Sequence, residues 1–371
     1  MNDTQTLRQT PLHDEHKKLG ARIVPFAGFE MPIQYKGISE EHHAVRNAVG
    51  IFDVSHMGEL VLRGTYAQQV VDYLVTGDIA KLGNGQALYT CACNEQGTIL
   101  DDLIVYKHTD EKLLVVCNAS NHAKMSEHFR KAAENHCDFT DETLGTALIA
   151  VQGPKAYEVI AKLGEDGPKC GQLGSFHLAD FTLAGVRCTV ARTGYTGEDG
   201  CEIFCRNEDA VQLWQALLEH GTPLGLQATG LGCRDTLRLE SRLSLYGNDI
   251  DETTNPLEAG LGWIVKLDKR DFVGKSALVA IKEKGLARKI AGFEMTGRGI
   301  ARRGYPLLDT AGNVVGVCTS GGPSPTLGKS IGLGYLPSAL CKLGTSFQVD
   351  CRGKAVSAVV VKTPFYKRPG A

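Results

Sequence analysis

The chain has 371 residues, 43% hydrophobic and 22% charged, enough to bury two or three substantial cores. Its 40 Lys and Arg stand against 42 Asp and Glu, and a net charge of -2 announces no surface for nucleic acid. No apolar run approaches the ~18 residues of a membrane span, so no membrane partner is expected.

The polar N-terminus, which carries acids, reads as neither a signal peptide nor a presequence, and the cytoplasm is the expected location. Thr10 and Pro11 predict an N-cap and first turn for a short helix closed by Gly20. Val24 to Phe29 is a loop with aromatic anchors, and Ser39 is the expected cap of a second helix ending at Gly50. Ile51 to Leu60 enters strand-like sequence through a polar knot, and Ala87 to Cys91 is a further β segment. The next strand runs from Thr98 to Tyr106, turns at Thr109 to Lys112, and returns over Leu113 to Asn118 as a hairpin. Helices are expected over about 121–136, 154–163 and 207–221, and another around 233–238. After about Ala287 short β runs separated by Gly/Pro turns, including Gly321-Gly322-Pro323-Ser324-Pro325, read as a small barrel. The helix near 272–284 is its expected linker.

The strand through Ile99 and Tyr106 is apolar on both faces, yet Asp101 and Asp102 sit side by side in it. A two-residue period puts Asp102 with Tyr106 on one face and Asp101 on the other, so the acids are not a cooperating pair. Desolvating an ionised carboxylate costs several kcal/mol unless it is paired. Either acid could cap backbone groups or face a ligand. The loop Gly194-Tyr195-Thr196-Gly197-Glu198-Asp199-Gly200 has neither the dinucleotide spacing nor the Lys-Ser/Thr of a phosphate cradle, so no nucleotide is expected. Glu202, just after it, suits a flat array of N–H donors such as an aminopyrimidine, although a decorated hairpin turn would look the same. Arg234 and Arg238 share a helix face, either as an anion-binding surface or as ion-pair partners of Asp235. Tyr89, Tyr106 and Tyr195 could stack on a planar ligand or belong to the core. Twelve cysteines show no C-x-x-C spacing and read as buried free thiols; no histidine cluster has metal spacing, and no metal is expected.

His56 in Asp-Val-Ser-His-Met, Ile-Leu-Asp-Asp-Leu-Ile-Val, Gly-Tyr-Thr-Gly-Glu-Asp-Gly-x-Glu, Arg-Asp-Thr-Leu-Arg-Leu-Glu and Leu-Tyr-Gly-Asn-Asp-Ile-Asp together resemble the T-protein family of the glycine cleavage system. The resemblance is collinear from Thr10 to about Arg368. It implies an α+β fold, a three-domain cloverleaf around a central folate channel with a C-terminal all-β barrel. Residues 1–270 would be the folate-binding region, with a second subdomain at about 52–145 interleaved in the first; 271–286 would link it to a barrel at 287–371. The implied activity is aminomethyl transfer from the lipoyl-bearing H-protein to tetrahydrofolate, without metal or nucleotide. Asp102 matches the family's catalytic aspartate, and Glu202 and Arg234 match residues that hold the pterin. Tyr89, Tyr106, Asn118, Tyr195 and Trp263 match positions lining the channel; Tyr366 and Arg368 fall in a similar C-terminal tail. The alternatives are a folate-dependent relative with another one-carbon donor, or a non-catalytic folate-binding protein. Basic pairs Lys269-Arg270, Arg302-Arg303 and Lys367-Arg368 are candidates for H-protein docking.

Overall fold

The computed structural model describes residues 6–370. They divide into two compact units, the first made of the chain up to Val71, Ile79–Leu88 and Leu103–Asp235, the second of Asp72–Asp78, Tyr89–Asp102 and the chain from Thr236. The chain changes units inside strand Ile99–Thr109, which therefore gives Asp102 to the second unit and Tyr106 to the first.

The first unit is built on a six-stranded sheet in the order Leu178–Leu183, Val186–Ala191, Gly200–Arg206, Thr146–Gln152, Val49–Asp53, Leu226–Ala228. Neighbours are antiparallel except the last pair. Helix Ala210–Gly221 lays Leu213, Trp214 and Leu217 onto its core, at the helical spacing the sequence shows. The hairpin of Ile99–Thr109 and Lys112–Cys117 continues into strand Gly58–Arg63, and Leu103, Val105, Leu113 and Val115 are buried. A strand covered on both sides has no polar face, which is why alternation was weak in this stretch.

Two caps differ from expectation. Helix His13–Lys18 starts after Leu12, and the Thr10 hydroxyl instead donates to Asp53 Oδ2 at 2.6 Å. Helix Ile38–Asn47 is not capped by Ser39: Oε1 of Glu41 accepts the amides of Tyr35, Lys36 and Gly37, and Oε2 accepts Gly230 N at 2.8 Å. The amides that Glu41 takes lie ahead of Ile38, so the carboxylate fixes the chain entering the helix and does not replace a cap hydroxyl, which would accept from the second or third helical amide.

The second unit contains the closed six-stranded barrel, ordered Arg288–Met295, Lys329–Pro337, Val314–Ser324, Pro306–Leu308, Ser346–Asp350, Ala355–Val361, with the last strand returning to the first. Phe293 and Phe347 meet edge to face inside it at 5.3 Å. The barrel expectation holds, with one correction. Gly321 to Ser324 is strand, not turn, and pairs with Lys329–Gly332. A Cβ on Gly321 would lie 2.7 Å from the Ala301 carbonyl, so the glycine serves a close approach of backbone. Helix Lys275–Lys284 precedes the barrel and packs Leu278 with Cys91, Cys93, Ile99 and Phe272. Among the described residues no helix is long and apolar enough to cross a membrane, and no disulfide joins any of the twelve cysteines.

Candidate active site

The glycine loop of the first unit is braced from below and from both sides. Gln152 Nε2 donates to the carbonyls of Thr193 (3.1 Å) and Cys201 (3.3 Å), while its Oε1 accepts the Thr196 hydroxyl at 2.9 Å. Gly194 lies directly over this amide, and a Cβ there would sit 2.0 Å from Oε1. Arg46 holds the Thr196 carbonyl at 2.7 Å and Glu198 Oε1 at 2.8 Å. Arg192 grips Asp199 in a fork, Nε to Oδ1 at 3.1 Å and a terminal nitrogen to Oδ2 at 2.6 Å. The loop's two carboxylates are therefore braces, each with its own arginine.

Glu202 is different. It is buried in strand Gly200–Arg206, where its Oε2 accepts from the Tyr106 phenol at 3.1 Å and from the Thr193 hydroxyl. Its Oε1 has no partner among the described residues. Burial, and then the neighbouring Glu202 charge, push the Tyr106 phenol well above its ordinary pKa, so it stays a donor. Arg234, half-buried on helix Leu231–Glu240, stacks its guanidinium 4.5 Å from the Tyr195 ring centroid. Burial works against its charge, and Tyr195 and Glu202 favour it. Tyr106, Tyr195, Glu202 and Arg234 thus form one linked group. It presents a half-satisfied carboxylate, a guanidinium and an aromatic face, which suits a planar ring with donors and acceptors on its edge.

In the second unit Tyr89 donates to Asp102 Oδ2 at 2.9 Å, and the Tyr89 and Trp263 rings stack at 6.1 Å. Asp102 is buried, and Trp263 is 62% exposed. Asp101 is fully buried as well. Asn118 follows strand Lys112–Cys117 directly. Tyr366 is tied by its amide to the Glu240 carbonyl at 2.9 Å, and both Tyr366 and Arg368 are half-buried.

Thr193 and Gln152 went unnoticed in the sequence. Thr193 sits just ahead of the glycine loop, and that adjacency was its one signal. Gln152 ends a distant strand, and nothing local marks it.

A model of the GCVT N-terminal domain matches residues 12–269, and one of the glycine cleavage T-protein C-terminal barrel domain matches residues 288–367. The chain belongs to the glycine cleavage T-protein family. An aminomethyltransferase of Symbiobacterium thermophilum is 48% identical over 98% of this chain and 99% of its own length. One from Halothermothrix orenii is 47% identical over 97% and 100%. The crystal structure of glycine cleavage system aminomethyltransferase T from Bartonella henselae superposes with a TM-score of 0.89 at 34% identity, covering 98% of this chain and 99% of that one.

Two basic features of this T-protein family member serve the fold. Arg238 does not extend an anion-binding face with Arg234: it is fully buried, bonded to Asp249 Oδ2 at 2.5 Å and to the Ser320 hydroxyl at 2.8 Å. Lys269 is also buried, donating to the carbonyls of Asp72, Val75 and Gly77 and to the Asp72 carboxylate. It is not available for docking, whereas Arg270, Arg302 and Lys367 are exposed.

Proposed function

We propose that the chain transfers a methylene carbon from the aminomethyl-lipoyl arm of the H-protein to tetrahydrofolate, releasing ammonia. That it is an aminomethyltransferase of the glycine cleavage system follows from its family and from relatives matching it end to end. The substrate pair and the residue roles are our reading. Residues 1–270, including the interleaved segment of about 52–145, are assigned to folate, 271–286 to the link and 287–371 to the barrel. A cytoplasmic location fits twelve cysteines that form no disulfide.

The observation that carries the reading is the unpartnered Oε1 of buried Glu202. That oxygen stays open while Oε2 is held, and a pterin N–H bonded to it would add about 1.5–3 kcal/mol, the usual worth of a hydrogen bond to a charged group. In this reading Arg234 donates to the ring's acceptor edge, and Tyr106 and Tyr195 wall it. Asn118, Tyr89, Trp263, Tyr366 and Arg368 are assigned to folate binding as well. Asp102 orients the N10 proton of tetrahydrofolate and accepts it as the carbon bonds there. N10 is an arylamine too weakly basic to need protonation, so a base is the useful partner, typically contributing about 10²–10⁴ in rate. Across the reaction the carbon gains bonds to N5 and N10 and loses those to sulfur and to the amine. The two protons leaving N5 and N10 end on the lipoyl thiol and on ammonia.

The test is titration of the full chain with tetrahydrofolate. Wild type should bind, and Glu202→Gln and Arg234→Met should each weaken binding about tenfold or more. Normal affinity in both variants would remove the pocket. Binding without ammonia release from aminomethylated H-protein would favour a non-catalytic folate-binding protein. Docking of H-protein through Arg270, Arg302 and Lys367 should weaken as salt rises, because exposed charges are screened.

A further inference from the structure

The turn between strands Val49–Asp53 and Gly58–Arg63 is tied down on all sides. Asp53 Oδ2 accepts the Thr10 hydroxyl at 2.6 Å and meets His16 Nε2 at 2.8 Å, and Oδ1 accepts the Ser55 amide at 2.9 Å. The Ser55 hydroxyl accepts from Leu148 N at 3.0 Å, and the Val54 amide donates to the Leu148 carbonyl. Tyr35 extends the clamp with a 2.9 Å contact between its hydroxyl and His16 Nδ1.

His56 is the exception. It is 3% exposed, and its ring meets Phe26 edge to face at 5.5 Å. Its Nδ1 is buried with no partner, and its Nε2 bonds to no described residue either. Burial first, and then the Arg234 guanidinium, lower its pKa to about 4, with Asp53 opposing. The imidazole is therefore neutral, with one donor and one acceptor nitrogen. A buried N–H without a partner is rarer in proteins than an unfilled acceptor, so the proton belongs on Nε2 and the lone pair on Nδ1. In this firmly held turn Nδ1 is sealed away and Nε2 is left open, so the ring's donor is the atom a ligand can reach.

We propose that His56 is a further ligand-binding residue of the pterin pocket, its Nε2–H donating to an acceptor atom on the ring edge alongside Arg234. The inference rests on the tetrahydrofolate reading above. Glu202 takes N–H groups of the ring, whereas His56 and Arg234 address its acceptors. A neutral donor does this without a second positive charge beside the guanidinium, which a lysine at position 56 would impose.

Three forms of the full chain test it, wild type, His56→Phe and His56→Gln, by melting temperature and by calorimetric titration with tetrahydrofolate. His56→Phe keeps a ring against Phe26 and removes an unsatisfied polar group, so its melting temperature should equal or exceed that of wild type while affinity falls about tenfold or more. His56→Gln restores a donor and should bind within about threefold of wild type. Unchanged affinity in His56→Phe overturns the proposal. So does a large drop in its melting temperature accompanied by equal loss of binding in His56→Gln, since that marks a structural role. Wild type that fails to bind tetrahydrofolate overturns the pocket assignment itself, a distinct result.

Discussion

The Tyr89 phenol donates to Oδ2 of Asp102 at 2.9 Å, and Tyr89 stacks on Trp263. A carboxylate assigned to take a proton needs its orientation fixed, and this bond supplies part of it. Tyr89→Phe keeps the stacking and removes the hydroxyl. It should lower kcat about tenfold with a change of only a few degrees in Tm, read by ammonia release and thermal unfolding. Asp101, fully buried on the opposite face of the strand, should show the reverse balance: Asp101→Asn should lose melting temperature first.

Tyr106 and Thr193 donate to the same oxygen of Glu202. Each bond to a charged acceptor is worth about 1.5–3 kcal/mol. Tyr106→Phe and Thr193→Val should each weaken tetrahydrofolate binding by at least about fivefold. Because both act on Oε2, the double variant should depart from additivity, and a thermodynamic cycle on the four forms checks it.

Arg238 and Asp249 form a fully buried ion pair in the second unit, which Ser320 and Thr319 complete. Breaking it from one side strands a charge, at about 3–5 kcal/mol. Asp249→Asn should lose that much in denaturant unfolding. Arg238→Met with Asp249→Leu should recover a good part of it.

What could be read from the sequence divides along physical lines. The strand through Asp102, its hairpin and the closed barrel are local patterns of apolar runs and turns, and they were legible. The caps were not, because the Thr10 hydroxyl goes to Asp53, far along the chain, and Glu41 ties the amides just ahead of its helix to the distant Gly230. Helical spacing put Arg234 and Arg238 on one face but could not tell that a buried acid awaits only the second. Gly321 and Gly322 read as a turn because turn glycines and close-approach glycines look alike in one dimension. The loop at Gly194–Gly200 was visible as a loop. That Arg46 and Arg192 occupy its carboxylates, leaving Glu202 as the one with an open oxygen, depends on contacts up to 152 residues apart.

His56 also sets a pH dependence. Its folded pKa of about 4 lies below the ordinary 6.5, with burial the main cause and Arg234 the second. Between those values the unfolded chain binds the proton and the folded one does not, so this contribution is complete above about pH 6.5 and is lost toward pH 4. At pH 5 wild type should have lost about 2 kcal/mol from this group relative to pH 7.5. His56→Phe should lack that part of the slope in unfolding curves at the two pH values.

The central claim is that Asp102 takes the N10 proton while tetrahydrofolate receives the carbon. It is tested most directly by measuring ammonia released from aminomethylated H-protein, with and without tetrahydrofolate, by wild type and Asp102→Asn. The account predicts tetrahydrofolate-dependent release by wild type. It also predicts about a 10²-fold or greater loss in Asp102→Asn, with folate affinity kept within roughly tenfold. Release by Asp102→Asn at the wild-type rate, or no stimulation of wild type by tetrahydrofolate, would contradict it.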